Sequence, residues 1–73
     1  MDSATLFREA FDTVRDPRSE EYRQGVRAAL QFRCEGITIP ALYKVGSAQL
    51  DAFLAGIDEG HRRWRRASDE SVQ

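Results

Sequence analysis

The chain reads as an all-α protein, a small three-helix domain, and three observations predict it. Apolar residues recur at helical spacing in three separate stretches. Each stretch opens on a side chain able to cap a helix and closes at a proline, a glycine or a polar tail. Alternating character, the mark of a strand, is confined to Ile37-Thr38-Ile39, too short to build a sheet.

The first helix is expected from about Ser3 to Arg15. Asp2 or Ser3 can cap it, and Leu6, Phe7, Ala10, Phe11 and Val14 line one face. Asp16-Pro17 stops it, because the residue before proline is pushed out of helical geometry. Ser19 then caps a second helix over about 19–35, with Glu20 and Glu21 in the first turn, where the helix dipole favours acids. Tyr22, Val26, Ala29 and Leu30 form its apolar face, and Gly36 suits the position just past its end. Residues 37–46 read as an ordered, buried connector in which Pro40 starts a single helical turn through Ala41, Leu42 and Tyr43.

Gly46-Ser47 breaks the connector and caps a third helix over about 47–65. Here Leu50, Phe53, Leu54, Ile57, His61 and Trp64 fall at i, i+3, i+4, i+7, i+11 and i+14, a single helical stripe. The domain is expected to span 1–66, with 67–73 a disordered polar tail. Gly56 and Gly60 inside the third helix each cost about 1 kcal/mol against alanine, so they require a compensating role. With Ala52 they form a smooth groove, and Gly25, Ala28 and Ala29 offer its counterpart on the second helix. Helices two and three are therefore expected to pack backbone to backbone as an antiparallel hairpin, with the first helix across its open side.

At 73 residues the chain makes one domain with a modest core, worth roughly 3–5 kcal/mol. Cys34 is the only cysteine, which excludes an intrachain disulfide and suits a reducing cytoplasm. No apolar run approaches the ~20 residues of a membrane span, so no membrane association is expected. Without a staple, docking on a partner or formation of a dimer gains weight.

Charge is high and nearly balanced, at 32% charged residues and a net −1. It alternates in blocks: 1–21 net −3, 22–50 net +3, 51–60 net −3, 61–66 net +4, then −2 to the end. A general polyanion binder needs an excess of bases, so this pattern favours a charged protein surface, with nucleic acid secondary.

Reaction chemistry is sparse. Cys34 and His61, 27 positions apart, cannot fill a zinc site, and no cofactor motif is present: Gly56-x-x-x-Gly60 lies inside a helix, not after a strand. Cys34 is expected to be a core or boundary thiol, and His61 a partly buried member of the apolar stripe. Acid-before-base spacing pairs Asp58 with Arg62 and Glu59 with Arg63, and Asp12 is in reach of Arg8 and Arg15. Arg65 and Arg66, with Arg23, Arg27 and Arg33, are left unmatched. Two roles stay open for Trp64: an anchor among arginines at an interface, or a lid on the core.

Tyr22, Gly25, Ala28-Ala29, Gly36, Pro40, Tyr43, Ala52-Phe53, Gly56, Gly60 and Trp64 also form a pattern, an aromatic-x-x-Gly helix, a Gly-to-Pro-to-Tyr connector and a second glycine-spaced helix. In this pattern residues 22–64 resemble the ribosome modulation factor group and short proteins of similar layout encoded by phages and prophages. That group is strongly basic with a Cys-Pro-Tyr connector; here Ile39 precedes Pro40, and Ala41 and Leu42 separate it from Tyr43. The resemblance implies a helical-hairpin scaffold and, for the phage proteins, a stoichiometric factor that redirects a host machine.

The function expected is therefore non-catalytic regulation by protein–protein contact with host gene-expression machinery, bacterial RNA polymerase being the favoured target. A ribosome-associated or RNA-binding role and a structural, self-assembling role are the alternatives. The expected partner-binding residues are Arg62, Arg63, Trp64, Arg65 and Arg66, with Arg23 and Arg27 on helix two and a second, acidic surface at Glu9 and Asp12.

Overall fold

The computed structural model describes residues 2–12 and 19–72, in which three helices follow one another: α1 Ser3–Asp12, α2 Glu20–Glu35 and α3 Ala48–Val72. The expected continuation of the first helix to Arg15 and its stop at Asp16-Pro17 lie outside the described residues. No strand occurs among those described, so the chain is all-α.

Local chemistry sets the helix ends. Asp2 caps α1, its Oδ1 accepting from the amide of Ala4 at 2.8 Å. That backbone hydrogen bond holds the Asp2 carboxyl below the usual carboxylate range. Ser19 Oγ accepts from the Tyr22 amide to start α2, and Gly36, left-handed at φ 72°, ends it. Gly46 turns the chain at φ 84°, and Ser47 Oγ accepts from the Leu50 amide while donating to the Lys44 carbonyl. The third helix does not stop near Arg65. It runs through 67–72, correcting the expected disordered tail: past Gly60 there is no glycine or proline, and Ala67 packs against the core.

Helices two and three pair closely, and their small residues are the reason. A Cβ added at Gly25 would stand 2.1 Å from the carbonyl oxygen of Phe53, and one at Gly56 would stand 2.0 Å from that of Tyr22. Gly60 meets Val26 and Ala29 in the same way. Backbone approach of this kind is open only to small residues.

The same contacts fix direction. Tyr22 and Gly25 meet Gly56, Ala29 meets Gly60, and Arg33 lies over Trp64, so residue numbers rise together along both helices. The α2–α3 pair is therefore parallel, which corrects the antiparallel direction expected from the sequence.

The connector makes this possible. α2 is about 24 Å long at 1.5 Å per residue, and the segment 36–47 between the helices can reach ~40 Å extended. It returns along α2: the Tyr43 hydroxyl donates to the Gln24 side chain, and its ring meets Phe53 edge-on at 5.5 Å. Pro40 starts no helical turn, and the only turn is at Val45-Gly46, a second correction. Nor is the connector buried as a whole. Ile39 and Tyr43 are half-covered, whereas Ile37, Leu42 and Val45 are 49%, 53% and 94% exposed.

Helix α1 runs antiparallel to α2, with Ser3 Oγ donating to Glu35 and Phe7 lying under Arg27. Between them Leu6, Val26 and Leu30 form the core, ringed by Phe7, Tyr22, Cys34, Trp64 and Ala67. Burial of a Val or Leu side chain is worth about 1.5–3 kcal/mol. Burial, then the neighbouring Glu35 carboxylate, pushes the Cys34 thiol up. The molecule measures 41 × 29 × 16 Å, so in its thinnest direction it is little more than one helix deep. Each helix accordingly keeps an outward face.

Candidate partner-binding surface

The C-terminal half of α3 carries the densest charge, and the structure divides it. Trp64 is half-buried against the Leu6, Val26 and Leu30 core, with the guanidinium carbon of Arg33 4.8 Å from its ring centroid. Of the two roles left open for Trp64 it takes the lid on the core, and it is not part of an exposed tip.

Arg62 and Arg63 share one acid. Glu59 Oε2 accepts from Arg62 Nε at 3.2 Å, and Glu59 Oε1 from Arg63 Nε at 3.0 Å. The expected Asp58–Arg62 pair is replaced by an i, i+3 bridge to Glu59, which reaches both cations. Arg65 and Arg66 are exposed and form no salt bridge among the described residues. Of the four arginines expected to act as a block, two are tied and two are open.

His61 sits beside this cluster. Its Nδ1 accepts from Arg33 Nε at 3.1 Å, which requires the neutral ring. Burial, then the positive charges of Arg33 and Arg65, hold its pKa below the usual 6.5. Leu54, Asp58, His61 and Arg65 follow one another at i, i+4, i+7 and i+11 on the outward face of α3. Leu54 is 50% exposed there. An apolar knob, an acid and an exposed cation thus share one accessible row.

Arg23 and Arg27 are not brought to this face. They lie in a cleft of about 470 Å³ between α1 and α2, lined also by Ser3, Ala4, Phe7, Arg8 and Gln31. Arg27 is stacked on Phe7, its guanidinium carbon 4.6 Å from the ring centroid. Glu9 faces a separate hollow with Leu6, Arg63, Arg66 and Ala67, and the side chain of Asp12 lies outside the described residues.

Sequence reasoning missed Arg8 as a member of the cleft. The i, i+4, i+8 row Arg23, Arg27 and Gln31 is legible on α2, but Arg8 joins it only through the placement of α1. Among the described residues no group of His, Cys, Asp and Glu side chains could hold a metal ion, and no helix is long and apolar enough to cross a membrane. No protein-family model, curated protein or solved structure matches the chain.

Proposed function

We propose that this protein is a small non-catalytic regulator that docks on another protein through the outward face of α3. The observation that carries the reading is the row Leu54, Asp58 and Arg65, in which exposed apolar and charged groups stand together and Arg65 forms no salt bridge among the described residues. Such a row supplies what a protein interface uses: an apolar contact for affinity, and charges of both signs that set register and on-rate. With a net charge of −1 the chain has little non-specific hold on nucleic acid.

The target we favour is a host machine of gene expression, RNA polymerase first, with the chain acting as a phage-type takeover factor. Its resemblance over residues 22–64 to small ribosome-directed and phage-encoded helical proteins supports that class of partner.

Affinity capture from bacterial lysate, with and without nuclease, tests the reading. A specific protein retained after nuclease, and lost with the double reversal R65E/R66E, is the expected result. Capture of ribosomal particles alone, released by nuclease and by salt, would replace it with an RNA-binding role. A melting temperature that rises with protein concentration, with no protein retained, would replace it with self-assembly.

A further inference from the structure

The cleft between α1 and α2 belongs to neither the core nor the α3 face. Three guanidinium groups, Arg8 from α1 and Arg23 and Arg27 from α2, line it together with the amide of Gln31 and the ring of Phe7. Arg8 and Arg27 have no carboxylate partner among the described residues. Arg27 is already held in place by Phe7 beneath it, so ordering that side chain costs little on binding.

We infer that this cleft is a second binding site, which seats the acidic side chains of a short protein segment. Guanidinium forks match the planar carboxylate, which they engage through paired hydrogen bonds. The Phe7 ring offers an apolar wall for the methylenes of a glutamate. A volume of about 470 Å³ suits a few residues.

Acids close the row at both ends. Glu20 borders the adjoining hollow with Arg23 and Arg27, and Glu35 is bonded to Ser3 at the other end. A nucleic-acid strand, which carries charge continuously along its length, would run against both. A segment with one or two carboxylates fits between them. The site is independent of the α3 face, and either can fail without the other.

Fluorescence anisotropy tests it on the full chain, with a fluorescein-labelled octapeptide of glycine and serine carrying two central glutamates as the probe. A length-matched single-stranded DNA is the comparison. The expected result is saturable peptide binding that R8Q weakens about tenfold and R8Q/R27Q abolishes, while R65Q/R66Q leaves it unchanged. Arg8 supports no part of the core, so R8Q gives an answer even where loss of the Phe7 stack unsettles the double variant. Three outcomes overturn the inference: no saturable peptide binding, tighter binding of the DNA than of the peptide, or equal loss with R65Q/R66Q.

Discussion

Gly25 and Gly56 meet across the α2–α3 seam with no room for a side chain on either: a Cβ built on Gly25 would lie 3.0 Å from the Cα of Gly56. The atoms crowding each position are backbone, which cannot swing aside as a side-chain end can.

Gly56→Ala is therefore predicted to destabilise the fold despite removing a poor helix former. Alanine gains about 1 kcal/mol of helix propensity, but the 2.0 Å approach to the Tyr22 carbonyl can be relieved only by parting the helices. Overpacking of this kind costs roughly 1–3 kcal/mol or more, a large share of the stability of so small a domain. Thermal denaturation followed by circular dichroism measures it. A melting temperature equal to or above that of the parent would refute the seam as described.

Trp64 is the only tryptophan, so its fluorescence reports on the core without labelling. Trp64→Ala is predicted to cost about 2–3 kcal/mol, below the range for a fully buried ring because Trp64 is only half-covered. Arg33→Ala should cost less, about 0.5–1 kcal/mol for an exposed cation over a ring, and should shift the emission to the red as water reaches the indole. An unchanged spectrum in Arg33→Ala would contradict the stack.

The neutral ring of His61 ties stability to pH. Burial and the charges of Arg33 and Arg65 lower its folded pKa, with Asp58 opposing them weakly. The unfolded chain then takes up a proton near pH 6.5 before the folded chain does, so the unfolded state binds more protons in that window. Stability is predicted to be level above pH 6.5, to fall as pH drops through 6.5, and to level again below the folded pKa. Denaturant midpoints at closely spaced pH values should show this slope, and His61→Gln should abolish it. An imidazole titration midpoint above 6.5 by NMR would reverse the sign and refute the argument.

What the sequence shows most clearly is what depends on neighbours in the chain. Ser19, Gly36 and Ser47 mark helix ends because capping needs only a few adjacent residues, and Gly25, Gly56 and Gly60 mark the close seam because helical glycine carries a cost. Trp64 is harder to place, since a ring on an apolar stripe suits a core and an interface equally until α1 is positioned. The partner of Arg62 turned on a rotamer choice between two adjacent acids, Asp58 and Glu59, which spacing alone does not decide. Helix direction is hidden for another reason. A groove of small residues reads the same for either orientation, and the discriminating signal lies outside it, in the length of the segment 36–47. Antiparallel helices need only about 2–8 connecting residues.

That segment gives the sharpest test of the parallel arrangement. Deleting residues 37–41 leaves seven between the helices, which reach at most about 25 Å, barely the ~24 Å length of α2 they must retrace and too little for the further step of about 8–10 Å across to α3. Tyr43, Gln24 and Phe53 themselves are kept in the deletion, so any loss reflects reach rather than a missing anchor residue. Replacement of 37–41 by a glycine-serine stretch of equal length serves as the control for lost Ile39 contacts. The shortened chain is predicted to lose its cooperative melt while the equal-length variant keeps one at a lower temperature. An antiparallel pair would tolerate the deletion, so a shortened chain that melts like the parent would show that α2 and α3 do not run in the same direction.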